Sequence, residues 1–223
     1  MAKQHAHDSG EKVGQVLSST EQFLAKYKNI LIYAVVGVLA IVLIYFGYKK
    51  FYYEAQQEEA RSQMFVAEQY FRMDSLALAL NGDGNNWGFL QIIDDYGSKA
   101  GEMVYFYAGI CQLRLGQYEQ AIENLKKYKV GDEITTARAL ACIGDAYVNM
   151  NNYPEAVNYF LKAANYRDNA FAAAYLLKAG ITYKVMGKPE EALKMYQRIK
   201  NDYGQTVEAR DIDKYIGEVS ATE

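Results

Sequence analysis

The sequence predicts an all-α chain: one transmembrane helix, then a helical solenoid of repeated hairpins, then a C-terminal capping helix. Three observations predict it. Residues 30–48 are uncharged and apolar, a pattern between residues 105 and 196 recurs at intervals of 35 and 36, and the two prolines of the chain both fall where a helix begins. The 223 residues are 51% hydrophobic, 23% charged and 14% aromatic, which excludes collagen-like, disulfide-rich and low-complexity chains. Residues 51–223 hold 18 Lys plus Arg against 24 Asp plus Glu, a net charge of −6. That is the wrong sign for gripping a phosphate backbone, so no nucleic acid is expected as a partner.

Residues 1–28 read as an N-terminal tail and a short helix. Ser18-Ser19-Thr20-Glu21 is a Ser-x-x-Glu capping box, able to satisfy the first N–H groups of a helix running into the next segment. His5 and His7 lie in the tail without a cysteine or acidic cluster beside them, so no metal site is assigned.

Residues 29–50 form the transmembrane helix. Ile30 to Tyr48 reads ILIYAVVGVLAIVLIYFGY, 19 residues without a charge. At 1.5 Å per residue this is roughly 28 Å, the thickness of a hydrocarbon core. Tyr27 and Tyr33 near one end, and Tyr45, Phe46, Tyr48, Phe51, Tyr52 and Tyr53 near the other, suit the headgroup layers. Bulky Tyr48-Lys49-Lys50-Phe51 stands where a cleaved signal would place small residues, so a retained anchor is expected. The alternative is a buried core helix, although a soluble helix of this length normally shows a polar face. Lys12, Lys26 and Lys28 on one side balance Lys49, Lys50 and Arg61 on the other, so charge alone does not orient the span.

Residues 51–100 are a helical connector and an incomplete first repeat. Tyr52 to Met73 reads as a helix continuing the span, with Ala60, Met64, Ala67 and Phe71 on one face. Residues 81–86 form a loop, and residues 88–93 a short helix ended at Gly97. The loop is not an EF-hand, because Asn86 and Ile92 stand where Gly and Glu are required.

Residues 101–204 hold three repeats. The first has Tyr105-x-x-Ala108-Gly109, then Gly116-Gln117-Tyr118-Glu119-Gln120-Ala121 and Leu125. The second has Leu140-x-x-Ile143-Gly144-x-x-Tyr147, then Asn151-Asn152-Tyr153-Pro154-Glu155-Ala156, Phe160 and Ala163. The third has Leu176-x-x-Ala179-Gly180-x-x-Tyr183, then Gly187-Lys188-Pro189-Glu190-Glu191-Ala192 and Tyr196. Gly109, Gly144 and Gly180 admit close helix contact, and Ala121, Ala156 and Ala192 do the same from the second helix. Pro154 and Pro189 fall in a first turn, where a missing N–H costs nothing. Residues 205–223 supply the cap and a tail: Val207, Ile212, Tyr215 and Ile216 form an apolar side that would close the last repeat.

These repeats resemble the tetratricopeptide family, departing from its pattern at Gln112, where Tyr is expected. The resemblance implies a protein-binding groove lined by fixed positions of each first helix. Here those positions are Met103, Phe106, Ile110, Leu113 and Arg114; Arg138, Ala141, Asp145, Val148 and Asn149; Ala174, Leu177, Ile181, Lys184 and Val185. Most are apolar and the family's carboxylate clamp is absent, so an apolar segment or amphipathic helix is the expected occupant. The alternative is a groove filled by the chain's own cap or N-terminal helix.

No enzyme is expected, and no catalytic residue, cofactor or small-molecule substrate is assigned. The repeats contain no histidine. Asp94-Asp95 and Glu190-Glu191 are sequence neighbours and diverge by about 100° on a helix. Gly187-Lys188 lacks the spacing and the Ser or Thr of a phosphate loop. Cys111 and Cys142 are expected as buried free thiols, with oxidation as the alternative in an exported domain.

The order of parts, with Tyr48-Lys49-Lys50 after the span and Ala60-Arg61-Ser62 on the emerging helix, resembles the YfgM-like ancillary subunits of the bacterial Sec translocon. That resemblance implies a single-pass inner-membrane protein with a cytoplasmic N-terminus and periplasmic repeats. Its implied partners are the Sec translocon, a membrane-anchored prolyl-isomerase-like periplasmic chaperone, and exported client chains. A structural scaffold for a cell-envelope or secretion complex is the alternative function.

Overall fold

The computed structural model describes residues 26–129, 131–167 and 169–221. The Ser18–Glu21 capping box and both histidines lie outside the described residues. The chain divides into two compact units, residues 1–55 and 56–223.

In the first unit the described residues belong to helix α1 (Lys26–Arg72). Its apolar stretch is exposed among the described residues. By length and composition the helix is able to cross a membrane. A π-helical turn at Lys49–Tyr53 interrupts the α-helical ladder beyond the apolar stretch, and the rings of Tyr48 and Tyr52 stack across it, 5.1 Å apart.

The second unit begins with the rest of α1, which buries Ala60, Met64 and Ala67 on one face. These are the predicted stripe positions, and Phe71 follows partly buried. Helix α2 (Leu76–Asn81) is not expected from sequence: alternating Leu and Ala in residues 76–80 show no 3.6-residue period. The next loop is organised by Asp83, whose carboxylate accepts the Tyr70 phenol at 2.6 Å and the N–H groups of Asn86 (2.6 Å) and Asn85 (2.9 Å). The Tyr70 bond, followed by those of Asn86, holds the Asp83 carboxyl well below its ordinary range. Helix α3 (Phe89–Tyr96) then ends at Gly97 in a 3-10 turn, Gly97–Ala100.

Three hairpins follow: α4 (Met103–Arg114) with α5 (Tyr118–Lys127), α6 (Glu133–Asn149) with α7 (Tyr153–Ala164), and α8 (Ala172–Val185) with α9 (Pro189–Asp202). Each first helix ends in the same way. Gly116, Asn151 and Gly187 have φ of 79°, 59° and 70°, the left-handed conformation that lets the chain fold back. The next N–H then reaches back to a carbonyl five residues earlier: Gln117 to Gln112 at 2.8 Å, Asn152 to Tyr147 at 2.9 Å, Lys188 to Tyr183 at 3.0 Å. These are Schellman closures, spaced as the sequence repeat is spaced.

Between the helices of each hairpin a glycine faces a large side chain. A Cβ on Gly109 would sit 2.6 Å from Leu125, and one on Gly144 would sit 2.6 Å from the Phe160 ring; a Cβ on Gly180 would strike Tyr196. Where sequence departs from the family, the packing partner departs too. Tyr147 and Tyr159 stack at 5.5 Å in the second hairpin, while at the same two positions of the first, buried Gln112 accepts a hydrogen bond from buried Asn124 at 2.8 Å.

The predicted single cap is two helices, α10 (Val207–Arg210) and α11 (Ile212–Ser220). Asp211, at φ −106° and ψ 6°, turns the chain between them. Ile212 and Val219 are buried against the last hairpin, and the Tyr215 ring lies 5.5 Å from Tyr196. The apolar side chains form three clusters, each drawing on more than one hairpin or on a hairpin and its neighbouring helices, with no strand among the described residues.

Candidate protein-binding groove

The positions implied for the groove separate into three groups. Phe106 and Ile110 are interior, 6% and 5% exposed, packed with Ile122, Leu125 and Tyr128 and covered by Ala139, Cys142 and Ala146 of α6. They form wall rather than open surface. A second group is held by neighbours in the fold. Arg114 grips Asp74 with two bonds of 2.5 and 3.1 Å, Lys184 pairs with Glu218 of α11 at 2.6 Å, and Asn149 donates to the Asp145 carbonyl at 2.8 Å.

The third group remains accessible. Met103, Ile181 and Val185 are exposed, with Leu113, Val148, Ala174 and Leu177 half-buried. Arg138, Ala141 and Asp145 come together in a cavity of about 350 Å³ between α6 and α8. Helix periodicity explains why these three converge: with Cys142 they occupy positions i, i+3, i+7 and i+4 of one stripe of α6.

The opposite wall was not indicated by the position rule. It comes from Phe171, the N-cap of α8, with Tyr175 and Lys178, a stripe one residue further round than Ala174 and Leu177. The i, i+4, i+7 spacing of these residues is readable in the sequence. What sequence does not give is that adjacent first helices meet flank to flank, which places the hollow beside the ideal inward face.

The floor of the cavity is Ala141, Cys142 and Tyr175, all buried, and its rim carries Ile134 and Phe171, each 48% exposed. Lys178 Nζ donates to both Asp145 carboxylate oxygens at 2.7 Å, and lies 5.6 Å from the Phe160 ring centre. Exposed Arg138 makes no ion pair among the described residues. The cavity therefore offers an apolar rim and floor, one internal ion pair and one guanidinium.

Burial, then Asp145, pushes the Cys142 thiol up to about 11, and burial likewise raises Tyr175. Both groups are protonated at neutral pH, so neither is a ready nucleophile. Both cysteines are free and buried. Among the described residues no His, Cys, Asp and Glu group has the makings of a metal site.

Comparison with known proteins agrees with this architecture. Models of the tetratricopeptide repeat match residues 103–129, 137–169 and 174–206, one to each hairpin. Tetratricopeptide repeat protein 37 of Xenopus laevis is 27% identical over 101 residues, 45% of this chain and 6% of that protein's length. Among solved structures, one of MamA superposes with a TM-score of 0.55 at 19% identity, covering 74% of this chain and 87% of the other. Nearly identical TPR-like repeats from Podosopora anserina give a TM-score of 0.55 at 13% identity, covering 73% and 85%. At such identities the structural likeness speaks to fold. Residues 103–129, 137–169 and 174–206 match tetratricopeptide repeats.

Proposed function

We propose that this chain is a membrane-tethered, non-catalytic adaptor that holds a polypeptide partner in the groove between α6 and α8. The cavity bounded by Ile134, Phe171 and Tyr175 carries the reading, because it is large enough for one bulky apolar side chain and is flanked by Arg138. The exposed Ile181 and Val185 extend that apolar surface along α8. Helix α1 supplies a tether of membrane-spanning length.

The resemblance to YfgM-like subunits supports the finer assignment: inner membrane, N-terminus cytoplasmic, repeats periplasmic, with the Sec translocon, a periplasmic chaperone or exported clients as partners. Co-purification from mild detergent extracts tests it. Wild-type chain is expected to recover a Sec or chaperone component, and Ile181→Asp with Val185→Asp is expected to lose it while the fold is retained. Absence of any such component, or repeats reachable by protease only from the cytoplasm, contradicts the assignment. Phe106 and Ile110 are poor probes, since altering them damages the core.

A further inference from the structure

Helix α6 presents two stripes with the same spacing. Arg138, Ala141, Cys142 and Asp145 face the groove described above. Thr136, Ala139, Leu140 and Ile143, offset by two residues and so by about 200°, face a second cavity of about 240 Å³ between α6, the end of α5 and α7. Leu125 completes its apolar wall. At its mouth stand two lysines, Lys126 of α5 and Lys162 of α7. Their ammonium groups lie 5.9 and 4.6 Å from the centre of one ring, that of Tyr159, and Lys126 is also 6.0 Å from Tyr147.

This arrangement is unusual for the molecule that contains it. Residues 51–223 carry a net charge of −6, yet two exposed ammonium groups converge on a single tyrosine and neither makes an ion pair among the described residues. Lys162 lies well within cation–π range of Tyr159 and Lys126 at its edge, and contact with a neutral tyrosine leaves each lysine charged. Inside the cavity the buried Thr136 side chain and Tyr128 complete the lining. Like charges gathered over an apolar hollow are complementary to an anion that carries apolar groups beside it.

The hollow does not end there. Leu140 and Lys162 also line an adjoining depression of about 520 Å³ that runs past Asn158 and Leu161 to Asn165 and Tyr166. At its far end the Arg198 guanidinium donates to Asn165 Oδ1 at 2.8 Å. A lone small anion would use only the lysine pair. Two hollows sharing a wall, with side-chain amides along the second, match an extended chain.

We propose that the α5–α6–α7 face is a second protein-binding site, which takes an acidic, extended segment of a partner: a carboxylate on Lys126 and Lys162, an adjacent apolar side chain against Leu140. It lies on the other stripe of α6 from the proposed groove, so the two sites are separable.

The test uses the full chain in detergent micelles and fluorescent peptides of about ten residues alternating Glu with Leu, alongside a Gln-for-Glu analogue. Anisotropy is expected to show binding of the Glu peptide, at least about tenfold weaker binding of the Gln analogue, and a similar loss in Lys126→Gln/Lys162→Gln. Lys126→Arg/Lys162→Arg is expected to restore affinity, and Lys127→Gln/Arg210→Gln, with the same charge change elsewhere, to leave it within about twofold. A photoreactive residue in the peptide should label Leu140 or Tyr159. Equal binding of the Gln analogue, indifference to the lysine pair, or labelling confined to Phe171 and Tyr175 overturns the proposal. So does displacement of the peptide by vesicles of anionic lipid at concentrations where neutral vesicles have no effect. Circular dichroism on each variant confirms that the helices are intact.

Discussion

At the scale of single residues, one glycine of the second hairpin and one of the third separate space from conformation. Gly144 sits in an ordinary helix, and its constraint is the Phe160 ring, which a Cβ would meet at 2.6 Å. Gly187 has open space around it but a φ of 70°. Gly144→Ala should therefore destabilise by about 1–3 kcal/mol through forced repacking. Gly187→Ala should cost about 1 kcal/mol through backbone strain alone, and Gly187→Asn less, because Asn already serves this role at position 151. Thermal unfolding of the full chain in detergent gives that order, and a Gly187→Ala loss equal to that of Gly144→Ala would refute it. Cysteine chemistry offers a second check. Burial raises the Cys111 thiol to about 12, opposed by Arg114, so the folded chain holds it as the unreactive thiol at pH 8. Iodoacetamide should spare Cys111 in the folded chain and modify it fully in denaturant, as mass spectrometry of the peptides will report. The small-residue positions were legible in sequence because a repeat displays each constraint three times. The identity of the covering side chain was legible for the same reason, since Leu125, Phe160 and Tyr196 each follow their glycine by sixteen residues.

At the scale of elements, the hairpins show which local rules speak and which stay silent. Pro154 and Pro189 announce the starts of α7 and α9, and Gly116 and Gly187 the ends of α4 and α8. The break at Asp211 is silent, because no glycine or proline marks it and the apolar period runs through it. Helix α2 is silent because six residues are too few to display a period. The Gln112–Asn124 pair is a subtler case: sequence registers only that Gln stands where Tyr is expected, while the compensation lies across the hairpin at Asn124. Asn124→Leu should cost about 1–3 kcal/mol by stranding the buried Gln112 amide, whereas Gln112→Tyr with Asn124→Tyr, copying the second hairpin, should recover most of that loss. Unfolding of the two variants in parallel decides the matter. For the cap, the bond from Lys184 lowers the Glu218 carboxyl, so the folded state holds its proton less tightly than the unfolded chain. Stability from this contact is present above the ordinary Glu range and disappears as pH falls through the lowered value. The melting difference between wild type and Lys184→Gln should therefore be seen at pH 7 and vanish in acid.

At the scale of the whole molecule, the architecture was readable but its surroundings were not. Composition and period determine a long apolar helix and a stack of hairpins, since both depend on the backbone and on burial. The groove depends on which flank of α8 meets α6, and on whether a large apolar residue such as Phe106 is covered by the next helix. Neither is a local property. Orientation across a bilayer is hidden for a different reason: three basic residues flank each side of the apolar stretch, so the field that would sort them cancels. The membrane assignment itself can be tested through the one term that dominates it. Val38 and Ile41 are exposed at 60% and 68% on α1. An arginine at the centre of a span costs about 2.5–3.5 kcal/mol on the insertion scale, so Val38→Arg with Ile41→Arg should cost roughly twice that. The wild-type chain should stay with membranes through alkaline carbonate washing, and the double variant should be released with its repeats still helical by circular dichroism. Release of the wild type by carbonate alone would show that α1 lies among protein or at a surface rather than across lipid, and would remove the tether from the proposed function while leaving the repeats as a binding module.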